Sequence, residues 1–278
     1  MTMSALQISR EQLVKSVKEL PSAPQILARV GEALEDLDSN LDEIAELIRL
    51  DGAITVRLIK VANSAAYNTR EPFSSLEEAL ARLGLNQAYR LVGLATMRQF
   101  SDQQLAAYGI SGHLLRENSL LTALIMEYMA SGGRHCQNAA YTAGLLRSTG
   151  KIALDRVVQG KVPDAAWIQG DLVVSERELV GIDSCEATAV AMAEWRFPKK
   201  TIDAIRVHYR PPAEDGLANV LNLASGAAAT AGFGLPGEDA YWELTPEKLE
   251  AAGVTPDGFK RAVEQGLKRF EIVREAVA

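Results

Sequence analysis

The stretch Ala143-Gly144-Leu145-Leu146-Arg147-Ser148-Thr149-Gly150-Lys151 is the most informative part of this chain. Its first residues close an apolar run that starts near Ala139 and has helical spacing. At Arg147 the run turns polar. A guanidinium stays protonated at any physiological pH and has no lone pair to give a cation. An apolar helix thus ends here on a residue that cannot be a metal ligand.

On either side, helix signals recur almost without a break. Ser9-x-x-Gln12 has the form of a capping box, and Leu13 and Val17 space an apolar face behind it. Pro21 and Pro24 end that helix and start the next, with Pro24 suited to a first turn. Asn40-x-x-Glu43 and Ser75-x-x-Glu78 repeat the capping pattern. Asp51 caps a run carrying Ile54, Leu58, Ile59 and Ala62 that ends at Asn63-Ser64, and Gly84 closes the helix opened at Ser75. Helices are expected near Leu114–Ala130, Ala139–Leu146, Ser184–Trp195, Thr201–Tyr209 and Leu217–Ala231, with a seam over Ser101–Gly112. Gly160–Asp171 reads as a loop presenting Trp167. The expected fold class is all-α and multi-helical.

Composition agrees. Of 278 residues 47% are apolar and 6% aromatic, which favours packed helices over a sandwich or barrel. The formal charge of −7 without a long basic run makes nucleic acid an unexpected partner. Cys136 and Cys185 lie far apart, outside any metal-ligand spacing, and read as free thiols of a reducing compartment. The N-terminus lacks a basic region followed by an apolar one, and Arg116, Glu117 and Glu127 interrupt the longest apolar helix. A cytoplasmic protein with no membrane contact is expected.

Particular motifs resemble a known family. Leu20-Pro21-x-x-Pro24, Leu47-Ile48-x-x-Asp51, Leu58-Ile59-x-x-Ala62-Asn63-Ser64-Ala65-x-Tyr67 and Ser75-Leu76-x-x-Ala79-Leu80-x-x-Leu83-Gly84 occur in the order and spacing of the HDOD domain, a helical module of bacterial signalling proteins. The stretch at 143–151 is similar to the centre of the wider HD phosphohydrolase superfamily, which reads Ala-Gly-Leu-Leu-His-Asp-Ile-Gly-Lys. Glu178–Asp183 and Trp195-Arg196-Phe197-Pro198 extend the match, which runs to about Gly234. The implied organisation is an N-terminal helix at 1–19 and an HDOD domain at 20–234, with lobes at 20–100 and 101–234. A helical extension at 235–278 resembles nothing in the family.

In an active superfamily member a His-Asp pair grips a divalent metal. The resemblance places that pair on Arg147 and Ser148. Other metal positions fall on Asn118, Cys185, the pair His208-Tyr209 and, more loosely, Ser225. Only His208 keeps a ligand-type side chain, and catalytic sites need at least three protein ligands. No catalytic residue, metal or cofactor is therefore expected.

Each candidate has a plainer reading beside the sharp one. Arg147 is either a cation filling the vacated metal pocket and paired with a carboxylate, or an exposed helix-end arginine near the negative end of the dipole. His208 reads as a partly buried, hydrogen-bonded imidazole, and His113 and His135 as solvated surface. Cys185 reads as a quiet helix-start thiol, its pKa raised by Glu186. Asn63 and Ser64 satisfy backbone groups at a helix end or form a patch for a partner. Trp167 anchors the core or meets a partner from its Pro- and Gly-flanked loop.

The resemblance and the missing ligands imply a non-enzymatic signalling or regulatory module that meets other signalling proteins in trans, with a homodimer compatible. A metal-dependent phosphohydrolase or phosphodiesterase is one alternative. It would need other acids to form the site. A sensor of a small anionic ligand such as a nucleotide, received by Arg147 in the old cleft, is another.

Overall fold

The computed structural model describes residues 6–20, 23–36, 40–64, 71–100, 104–132, 135–165, 167 and 170–277. Pro21, Ala65, Tyr67 and Ser101, used in the sequence reading, lie outside them. The elements are α1 (Arg10–Lys18), α2 (Ala23–Glu35), α3 (Leu41–Arg49), α4 (Gly52–Ala62), α5 (Leu76–Leu83), α6 (Leu85–Phe100), α7 (Gly112–Ala130), α8 (Gln137–Leu146), α9 (Thr149–Val158), α10 (Leu172–Val180), α11 (Ser184–Glu194), α12 (Lys199–Val207), α13 (Gly216–Ala228), α14 (Pro246–Ala252) and α15 (Pro256–Val277). Among the described residues there is no strand, only one isolated bridge between Leu105 and Ile110. That bridge flanks a 3-10 turn at Ala106–Tyr108, so part of the expected seam is itself ordered.

The chain packs as two units, one of residues 1–20 and 100–267 and one of 21–99 and 268–278. This differs from the division drawn from the family motifs. The first twenty residues and most of the extension belong to the same unit as 101–234, because their apolar residues are buried there. Leu13, Val17, Leu235 and Leu249 are examples.

The unit at 21–99 holds α2–α6 around Leu27, Ile44, Ile48, Leu58, Leu80 and Leu91. Its helix starts follow the sequence signals. Asn40 accepts from the Glu43 amide at 3.0 Å, and Asp51 from Ala53 and Ile54. Ser75 accepts from the Glu78 amide, but the Glu78 carboxylate turns back to the amide and hydroxyl of Ser74 rather than to Ser75. Asn63 and Ser64 engage backbone. The Asn63 amide group accepts from Phe73 N at 2.6 Å and donates to Phe73 O at 3.1 Å, holding residue 73 against the end of α4. The Ser64 hydroxyl donates to Val61 O.

In the other unit, α1 opens with both bonds of its capping box. Two glycines of the opening stretch set the helix crossings. A Cβ on Gly144 would lie 2.7 Å from Ala123 backbone atoms, so α8 can lie on α7 only without a side chain there. At Gly150 a Cβ would lie 2.1 Å from Ser184 O and 2.5 Å from Thr188 N, both backbone atoms of α11. Backbone cannot swing aside as a side chain can. Gly150→Ala should therefore cost about 3 kcal/mol, the upper end of the usual overpacking penalty, measured by urea unfolding.

Candidate functional site

The turn at 147–148 joins α8 to α9 and is fastened to α11 by Thr188. The buried Thr188 hydroxyl accepts from Gly150 N at 2.8 Å and lies within hydrogen-bond reach of Arg147 O and Ser184 O. This fixes the backbone from which Arg147 and Lys151 reach inward. Arg147 is 2% exposed and Lys151 is fully buried. The exposed helix-end reading of Arg147 does not hold.

Both cations meet Glu238, also fully buried. Arg147 makes a two-pronged contact with it, Nη1 to Oε1 at 3.1 Å and Nη2 to Oε2 at 2.9 Å. Lys151 Nζ lies 3.3 Å from Oε1, and the Tyr209 hydroxyl donates to the same oxygen at 2.7 Å. Arg147 Nη2 also donates to Asn118 Oδ1 at 2.7 Å, while Asn118 Nδ2 donates to Phe233 O. A planar fork matched to a carboxylate is the geometry in which a guanidinium binds most strongly.

Burial alone would push the Glu238 carboxyl up. The charges of Arg147 and Lys151 more than reverse this and hold it at about 2. Burial likewise works against the charged form of Arg147, yet Glu238 leaves its pKa above the ordinary arginine value. Below this pair sits a second buried carboxylate, Glu176. It accepts from the Tyr108 hydroxyl and from Ser184 N, each at 2.7 Å. Burial raises its pKa, and the nearby Lys151 charge opposes the rise.

His208 is fully buried at the end of α12. Its Nδ1 lies 2.7 Å from Ile205 O, and a carbonyl can only accept, so Nδ1 carries the proton. Burial, then the charge of Arg147, lowers its pKa to about 3. Cys185 Sγ is 3.6 Å from the same nitrogen. Its thiol is pushed well above its usual value first by burial and then by Asp183 and Glu176, and not by Glu186 as its neighbour in sequence. Ser148 is buried at the start of α9, and Ser225 donates back to Leu221 O of its own helix.

Two further readings are decided. Trp167 anchors the core rather than being presented by its loop: it is 1% exposed, with its ring 4.4 Å from that of Tyr108. His135 is half-buried rather than solvated, and a Cβ on Gly216 would lie 2.9 Å from its ring. His113 is exposed, with Nε2 3.1 Å from Glu117.

Site residues absent from the sequence reading are Glu238, Lys151, Glu176, Tyr108 and Trp242, whose ring centre lies 5.5 Å from the Arg147 guanidinium carbon. Lys151 stood in the quoted stretch, and its place one turn beyond Arg147 was a usable signal. Glu238 lies 91 residues from Arg147 among exposed acids such as Asp239, and nothing local marks it as buried.

This donor set does not fit a divalent cation. Among the described residues no three His, Cys, Asp or Glu side chains converge as ligands could. Asn118 Oδ1 and both Glu238 oxygens already face protein donors, and the Cys185 thiol stays protonated.

The HDOD domain family model matches residues 20–211, more than half of the chain. The chain belongs to the HDOD family. Across this HDOD protein's length the fold matches an HDOD domain protein of unknown function from Geobacter sulfurreducens, 21% identical, with 97% of this chain and 98% of that one covered and a TM-score of 0.69. A candidate phosphohydrolase from Shewanella amazonensis SB2B is 23% identical, with 96% and 98% covered and a TM-score of 0.69. A candidate signal transduction protein from Marinobacter aquaeolei VT8 is 18% identical, with 96% and 64% covered and a TM-score of 0.70. A curated relative, an uncharacterized protein of Treponema pallidum (strain Nichols), is 24% identical over 260 residues. The HDOD chain covers 91% of itself in that match and spans about half the relative's length. Among the described residues no helix is long and apolar enough to cross a membrane.

Proposed function

We propose that this HDOD protein is a non-catalytic regulatory module acting through protein contacts in the cytoplasm. The observation that carries the reading is the bidentate Arg147–Glu238 pair at the motif where the superfamily binds metal. With Lys151 and Glu176 the cluster holds two cationic and two acidic side chains in the interior. An internal ion network thus stands where the superfamily holds a metal and its ligands, and among the described residues no three acids, histidines or cysteines converge there as ligands could, which supports a structural role. The likeness to a candidate signal transduction protein agrees with this reading.

The same pair weighs against an anion sensor in the old cleft. A phosphate would have to displace Glu238 from Arg147 and draw a buried carboxylate away from two cations.

Metal analysis of the purified protein, before and after incubation with Mn²⁺ or Zn²⁺, tests the first half of the proposal, together with hydrolysis of bis(p-nitrophenyl) phosphate. Well under one equivalent of metal and no turnover above buffer are expected. One equivalent or more with turnover would make hydrolysis the leading account. The contact half predicts a second polypeptide recovered in constant ratio on purification from the native cell, and repeated recovery of the chain alone counts against it.

A further inference from the structure

A cavity of about 460 Å³ lies between α13, the segment following Glu238 and the first turns of α15. This is the size of sites that take small organic molecules. Small residues create it. Gly226, Ala227 and Ala231 leave space on one side, and Phe259 and Val263 face it from α15. Trp242 forms a further wall and approaches closely because Gly226 has no Cβ; one added there would lie 3.1 Å from Trp242 Cβ. The lining is largely apolar.

One polar side chain in that lining is unusual. Asn222 is 1% exposed, and its Nδ2 points at three carbonyls, His208 O at 2.8 Å, Tyr241 O at 3.1 Å and Tyr209 O at 3.4 Å. Three acceptors around one nitrogen fix which end of the amide is which. Asn222 Oδ1 is consequently the free end, and it accepts no hydrogen bond from the protein. A buried acceptor left unmatched costs free energy of the size of a lost hydrogen bond. A bound molecule with one donor would relieve it.

We propose that this cavity binds a small planar aromatic molecule carrying one N–H or O–H donor. The donor meets Asn222 Oδ1, and the ring packs among Trp242 and Phe259, since aromatic rings gain from ring contacts beyond simple area burial. Leu244, 55% exposed at the cavity, forms part of the entrance. The assignment goes beyond the regulatory reading and does not rest on it, for a hydrolase could hold the same ligand.

The probe is indole, with 1-methylindole as the analogue lacking the donor. Methyl resonances of Leu244, Val263 and Leu267 in the full chain report binding. Saturable shifts with indole at millimolar concentration are expected, with affinity at least fivefold weaker for 1-methylindole. Ala231→Trp, which fills the cavity, should abolish them. Leu244→Lys, at an exposed position where folding is little affected, should weaken them and decides the matter if Ala231→Trp fails to fold. No saturable shift, equal affinity for the two probes, or binding retained in a folded Ala231→Trp variant would overturn the proposal. So would light scattering that shows a dimer dispersed by Ala231→Trp while indole does not bind, which assigns the cavity to a second copy.

Discussion

Glu238→Ala is expected to lower stability by about 3–5 kcal/mol, the usual cost of removing one partner from a buried ion pair. The effect is large because one carboxylate serves several donors. Without it Arg147 is left with the Asn118 oxygen and the face of Trp242, Lys151 loses its ion-pair partner, and the Tyr209 hydroxyl loses its acceptor. Neither cation can reach water, since both are buried. Chemical denaturation monitored by circular dichroism measures the loss. A triple variant, Glu238→Leu with Arg147→Met and Lys151→Met, should recover much of it, because replacing all members of a buried ion network by apolar groups is far less costly than orphaning some of them. A loss below about 1 kcal/mol in Glu238→Ala would show that the network contributes little to the fold.

The second large effect is acid sensitivity starting close to neutral pH. His208 titrates at about 3 when folded against 6.5 for a free imidazole, and burial is the first cause. Between those values the unfolded chain binds a proton that the folded chain refuses. Stability is therefore at its full value above pH 6.5 and falls as pH drops toward 3. At about 1.4 kcal/mol per tenfold change in proton affinity, His208 contributes a loss on the order of 5 kcal/mol across that window. Glu238 adds to it lower down. Its folded pKa of about 2 lies below the ordinary 4.5, so its stabilisation is present above pH 4.5 and is lost as pH falls toward 2. Glu176, raised by burial, works in the opposite sense and gains stability as it protonates. Unfolding free energies measured from pH 7.5 to 3.5 should decline with a slope that His208→Asn flattens above pH 4.5. An unchanged slope in that variant would remove His208 as the cause.

Legibility of this molecule in its sequence divides according to range. Capping signals at Ser9, Asn40, Asp51 and Ser75 are local: a side chain and an amide two or three residues on are enough to define them, and all four side chains cap as read, although at Ser75 the Glu78 carboxylate turns to Ser74 instead of closing the box. The all-α class follows from apolar spacing of the same short range. Arg147 is excluded as a metal ligand by its chemistry alone, since no fold can give a guanidinium a lone pair.

Tertiary structure alone decided what Arg147 meets. A lysine, a glutamate or a tryptophan has the same covalent structure in solvent and in a core, and desolvation is a property of its surroundings. Trp167 in its Pro- and Gly-flanked loop could be read as a core anchor or as displayed to a partner, and only its ring packing on Tyr108 settles which. Glu238 looked like one acid among several until Gly237, at φ 81°, turned the chain so that the carboxylate enters the interior between Arg147 and Lys151. Sequence spacing could specify the helices and the place of a residue that cannot ligate a metal. The balance of charge inside depends on groups up to 91 residues apart meeting in a medium of low polarity, and only the assembled fold brings them together.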